Sequence, residues 1–119
     1  MRNYRNYDFW QDSISIAKDV YILLKEFPNE ERFALCSQLR RAVVSIASNI
    51  AEGSGRETES DFAHFLDIAL GSACEVETQI EIAYKMEYIS IEQRDEIVDK
   101  LQSIERRITG FIKKIREAK

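Results

Sequence analysis

Between Ser48 and Phe62 the chain reads SNIAEGSGRETESDF, gathering Asn49, Glu52, Gly53, Gly55 and Arg56 within eight residues. A catalytic loop brings amide, carboxylate and guanidinium groups together in this way, and so does a capped turn between two helices. Elsewhere the chain offers little to support catalysis. It has one histidine, His64, in the run Asp61-Phe-Ala-His. Di-metal bundle sites draw on two Glu-x-x-His motifs, which one histidine cannot supply. Cys36, Cys74 and His64 lack the paired spacing of zinc ligands. His64 and Cys74 stand ten residues apart, about 15 Å along a helix, too far for a nucleophile and its base. The run GSGRE follows no strand and lacks the Gly-Lys-Ser/Thr of a phosphate-binding loop. No pair of carboxylates stands out as an acid–base couple. These absences argue against an enzyme, and no cofactor, metal or small-molecule substrate is expected.

The elements that must hold these residues are helical. Trp10, Ile14, Ala17, Tyr21 and Leu24 recur at the 4-3-4-3 spacing of one helix face, and Ile16, Val20, Leu23 and Phe27 widen it. Pro28 stops this first helix. A second helix is expected from an N-cap near Asn29 to about Glu52, striped by Leu35, Leu39, Val43, Ile46 and Ile50. Gly53 is expected just past its end, in left-handed backbone. Thr58 or Ser60 caps a third helix carrying Phe62, Leu66, Ala69, Ala73, Val76, Ile80 and Ala83, which fades near Met86. Ser90 and Gln93 form a capping box for a fourth helix, whose seam is Ile97, Leu101, Ile104, Ile108, Phe111 and Ile115. One proline and four glycines in 119 residues are too few for a sandwich or barrel. The expectation is all-α: one domain over 1–119, folded as an antiparallel up-down-up-down four-helix bundle.

Charge is unevenly spread under a total of −4. Residues 57–99 hold two basic against twelve acidic residues, and residues 100–119 hold seven against two. An acidic whole argues against nucleic-acid binding by bulk charge, while the last helix keeps a local basic surface. No secretory h-region and no membrane-spanning run is visible. Two cysteines are too few for a disulfide framework. A cytoplasmic protein with no membrane partner is expected.

Pairing the second and third helices about Gly55 sets Cys36 level with Cys74 or Glu75, and Arg40 level with Gly71. Gly71 costs about 1 kcal/mol relative to alanine in a helix interior, and close packing is the usual compensation. The run GSACE is therefore a candidate close-approach surface, with Arg40, Gly71 and Glu75 as a helix-pair contact and Asp67 as an alternative partner for Arg40. Capping accounts for the glycines and hydroxyls of the opening stretch but not for Asn49, Glu52 and Arg56. A polar Asn49 beside the apolar stripe needs partners. The three residues are expected to form a hydrogen-bonded cluster that fixes a bundle end or a subunit contact; a ligand site is the alternative.

The same residues carry a family resemblance. Phe27-Pro28 with Glu31, Gln38-x-Arg40-Arg41-Ala42, Ser45-Ile46-x-x-Asn49-Ile50-Ala51-Glu52-Gly53, Gly55-Arg56, and Ala69-x-Gly71-Ser72-x-x-Glu75 resemble the signature of the four-helix 23S rRNA intervening-sequence proteins, also called S23. The match covers nearly the whole chain. The resemblance implies a helical bundle and a ring-shaped homopentamer, as in related accessory proteins of diversity-generating retroelements. Those relatives are basic and are thought to bind nucleic acid; this chain has a pI near 5.1.

Two functional readings follow. The first is a non-enzymatic, self-assembling interaction protein, in which leftover apolar positions (Val44, Leu70, Ile82, Val98 and Ile112) meet a neighbouring subunit. The second is a nucleic-acid-binding accessory module acting as a homo-oligomeric ring. Its carriers would be Arg106, Arg107, Lys113, Lys114 and Arg116, with Arg2 and Arg5 interleaved with Tyr4 and Tyr7. A solvated basic helix end is the preferred account of the charges on the last helix.

Overall fold

The computed structural model describes residues 2–118. Its helices are α1 (Asp8–Leu23), α2 (Leu35–Ser54), α3 (Glu59–Lys85) and α4 (Ile91–Glu117), joined by short connections and three 3-10 turns at Tyr4–Asn6, Leu24–Glu26 and Asn29–Glu31. Each helix packs against its neighbours in the chain, and α4 closes against α1. The result is an antiparallel four-helix bundle about 48 Å long, with no strand among the described residues.

The two stripes of α1 have different fates. Ile16, Val20 and Leu23 enter the core with Phe9, and Ser13 is buried among them because its Oγ donates to the Phe9 carbonyl at 2.6 Å. Of the other stripe only Leu24 is buried. Trp10 and Ala17 pack at the core's edge, while Ile14 and Tyr21 stay exposed. A bundle core accepts roughly one face of each helix, so the Trp10–Tyr21 stripe lies at the core's edge or outside it.

The start and end of α2 differ from the expectation. Asn29 opens only a 3-10 turn; α2 begins at Leu35, whose N–H is met at 3.4 Å by Glu31 Oε1. At the other end Gly53 is helical, and among the described residues no glycine has positive φ. Its lack of a side chain serves packing: a Cβ there would lie 2.6 Å from Phe65 Cβ. Because α2 runs on to Ser54, Ser45 Oγ meets Ser72 Oγ at 2.9 Å, and Gln38 meets Gln79. The hairpin therefore centres near Thr58, not Gly55. Thr58 Oγ1 caps α3 by accepting from the Asp61 N–H at 3.0 Å.

Glu87 ends α3 in left-handed backbone, φ 65°. The Tyr88 N–H reaches the Ala83 carbonyl and the Glu87 N–H the Tyr84 carbonyl, both at 2.9 Å. This six-to-one and five-to-two pair closes the helix. The Ser90–Gln93 capping box is formed in both directions. Aromatic clusters plug both ends. Tyr7, Phe9, Phe62 and Phe111 meet with ring centroids 5.2–6.1 Å apart. Phe27 and Tyr88 meet at 5.5 Å at the other end. There Tyr88 Oη donates to Glu31 Oε2 at 2.7 Å, and this bond to a carboxylate pushes the phenol up to about 12.

Candidate functional site

The face shared by α2 and α3 carries most of the residues singled out from sequence. Asn49 Nδ2 donates to both the carbonyl and the hydroxyl of Ser45, each at 2.8 Å. Ser45 in turn accepts from the Ser72 hydroxyl. One turn away, Glu52 and Arg56 form an i,i+4 ion pair at 3.2 Å, and Arg56 lies over the Phe65 ring at 4.5 Å. Asn49, Glu52 and Arg56 are thus on one face but in two groups: Asn49 is satisfied by the α2–α3 serines, while Glu52 and Arg56 belong to the turn.

The expected Arg40–Gly71–Glu75 contact does not form within the chain. Arg40 donates to the Arg32 carbonyl at 3.2 Å, Asp67 pairs with Arg116 at 2.7 Å, and Glu75 accepts from Gln79 at 3.4 Å. The shifted register explains this, since it removes Arg40 from the level of Gly71 and Cys36 from that of Cys74. Gly71 is exposed, and a Cβ built there meets nothing within 4 Å. Cys36 is buried and Cys74 exposed, both as free thiols.

The basic residues are largely engaged. Arg107 bridges to Asp12 at 2.7 Å and Asp8 at 3.4 Å, tying α4 to α1. Lys113 lies 3.9 Å from Glu117. Among the described residues no ion pair forms to Arg106 or Lys114. Arg5 rests over Tyr4 and Trp10. Arg2 is spent at the α2–α3 turn: it donates to the Ser54 carbonyl at 3.1 Å and the Arg56 carbonyl at 2.7 Å, bonds Glu59, and covers the Phe62 ring. It caps the negative end of α2 while holding an acid at the start of α3. No sequence signal links Arg2 to residues more than fifty positions away.

Sequence reading also missed Glu105. This half-buried residue of α4 turns toward α3, where a Cys74–Glu77–Glu105 cluster has its thiol and carboxylate atoms within 4.8 Å of one another. Burial first, then the hydrogen bond and charge of Glu77, push the Glu105 carboxyl up to about 8; Arg106 opposes this. Burial and the charges of Glu105 and Glu77 also raise the Cys74 thiol, away from the thiolate that a nucleophile needs. Of the leftover apolar positions, Val44 and Ile82 are exposed, Leu70 and Val98 half-buried, and Ile112 buried. Among the described residues no helix is long and apolar enough to cross a membrane.

A family model of 23S rRNA-intervening sequence proteins matches residues 5–110. Among solved structures, the chain is similar to a protein of unknown function from the S23 ribosomal protein family of Bacteroides thetaiotaomicron. The two are 31% identical, with a TM-score of 0.82 over 88% of this chain and 98% of that one. No curated protein matches. With the bundle, the helix-end chemistry and the α2–α3 face in place, the chain belongs to the 23S rRNA-intervening sequence protein family.

Proposed function

We propose that this protein is a non-catalytic, self-assembling interaction module whose subunits meet through the α2–α3 face. The observation that carries this reading is Gly71. It sits in the middle of a 27-residue helix, where glycine costs about 1 kcal/mol relative to alanine, and nothing in its own chain approaches it. A neighbour's backbone packed there supplies a reason for its small size. Ile68, one turn before it on α3, and Val44 on α2 are 39% and 43% exposed, as apolar positions at a subunit contact would be. Ile14 and Tyr21 on α1 are further exposed apolar residues that a homo-oligomer would cover. A ring of five is what the family resemblance implies. A cytoplasmic setting suits two free thiols.

The nucleic-acid reading has less behind it, because Arg2, Arg107 and Arg116 are committed to carboxylates within the chain. Sedimentation velocity on Gly71→Leu tests the assembly reading. The variant is expected to stay folded, since the site is open within the subunit, and to sediment as smaller species than wild type. An unchanged sedimentation profile would refute Gly71 as a subunit contact.

A further inference from the structure

The groove between α3 and α4 runs along α3 beyond Gly71 and combines an apolar floor with acidic walls. Ile82, 46% exposed, and the half-buried Val98 line a recess of about 540 Å³ with Glu77, Glu81, Arg94 and Asp95. Arg94 is already held by Glu81 at 3.0 Å and Asp95 at 2.9 Å and lies over the Tyr84 ring at 4.6 Å, so it closes the wall without offering a free cation. Glu77 continues the groove to Glu105, whose proton is shared with Glu77 and whose enclosed Oε2 accepts no hydrogen bond among the described residues. Gln102 reaches only Glu77, at 3.4 Å. An enclosed carboxylate oxygen without a donor is costly. The groove therefore carries a local acceptor excess, with the residues from Glu77 to Val98 drawn from the acidic stretch 57–99.

We propose that the α3–α4 groove docks a basic amphipathic helix of a partner polypeptide, with apolar side chains on Ile82 and Val98 and a lysine or arginine at Glu77 and Glu105. The chemistry is that of an amphipathic helix laid in a groove, with the partner's cation supplying the donor that Glu105 lacks. Charge complementarity selects the partner: the walls carry Glu77, Glu81 and Asp95 against one arginine, Arg94, and Arg106 flanks Glu105 on α4. This goes beyond self-assembly and gives Ile82 and Val98, expected from sequence at a subunit contact, to a partner instead.

The site also predicts a pH dependence. Glu77 and Cys74 face Glu105 from α3, and Arg106 and Gln102 flank it on α4. In the free protein the Glu105 carboxyl holds its proton up to about pH 8. A bound cation displaces that proton, so affinity rises with pH toward 8 and levels off above it.

The test is fluorescence anisotropy with a labelled peptide of leucine and lysine at helical spacing, beside the same peptide with glutamate for lysine. Wild type is expected to bind the lysine peptide only, more tightly at pH 8 than at pH 6.5 and more weakly with added salt. The isosteric double variant Glu77→Gln/Glu105→Gln is expected to weaken binding by about tenfold or more, as loss of a desolvated charge partner does. Ile82→Ser is expected to weaken it independently. Bound peptide should also slow alkylation of exposed Cys74. Absence of binding, equal binding of both peptides, or unchanged affinity in folded variants would overturn the proposal.

Discussion

The glycines show how one residue type serves opposite ends. At Gly53 an added methyl meets Phe65 Cβ at 2.6 Å; at Gly71 it meets nothing within 4 Å. Gly53→Ala is therefore expected to destabilise the fold by about 1–3 kcal/mol, the usual cost of overpacking. Gly71→Ala should stabilise the isolated subunit by about 1 kcal/mol through helix propensity alone. Urea unfolding of the two variants side by side reads both. The sequence marks Gly53 and Gly71 as special but does not say why, because glycine after an apolar run looks the same whether it ends a helix or admits a neighbouring ring. Glu87, at φ 65°, has no such marker. Replacing it with glycine should relieve left-handed strain and stabilise by about 1 kcal/mol, read as a raised melting temperature. Glu105 makes stability depend on pH. Its folded carboxyl is raised from 4.5 to about 8, so the folded state holds a proton that the unfolded chain releases. Its favourable contribution is full below pH 4.5 and is lost as pH rises to about 8. Wild type should therefore lose stability over that window relative to Glu105→Gln, with the gap constant above it; parallel melting curves from pH 5 to 9 would contradict this.

At the scale of the helix, periodicity and capping chemistry were largely legible. The Ser90–Gln93 box and the Thr58 cap appear where their residue types put them, and so does the seam of α4 except that Ile112 is buried and Phe111 only half-buried. Ser90→Ala should cost about 1 kcal/mol, the typical value of a lost N-cap, measurable by chemical denaturation. What periodicity could not decide was which of two overlapping stripes on α1 faces inward, since both have helical spacing. The deciding fact is three-dimensional: Ile16, Val20 and Leu23 meet the other helices, and a bundle has room for one face. The helix-pair register failed for a related reason. Extending α2 through Gly53 to Ser54 moved the centre of the hairpin, and every cross-helix pairing moved with it. Arg40 and Gly71 were separated, while Ser45 and Ser72 were joined. The Cys74–Glu77–Glu105 cluster was hidden because its members come from two helices whose relative rotation is set by the core.

At the scale of the whole molecule, the chain buries a continuous core and leaves surfaces that a lone subunit does not use. Ile14 and Tyr21 on α1, Val44 on α2, and Ile68 beside Gly71 on α3 are apolar or small where a monomer gains nothing from it. Acid and base are segregated along the sequence, with residues 57–99 strongly acidic and the last twenty residues basic. Intramolecular pairs such as Arg116–Asp67 and Arg107–Asp12 consume part of that difference. The central claim is that these surfaces are covered by further copies of the chain. Native mass spectrometry of the wild-type protein tests it most directly. The account predicts a dominant closed oligomer at an integral multiple of the 13.9 kDa chain mass; a single species at 13.9 kDa under the same conditions would contradict it.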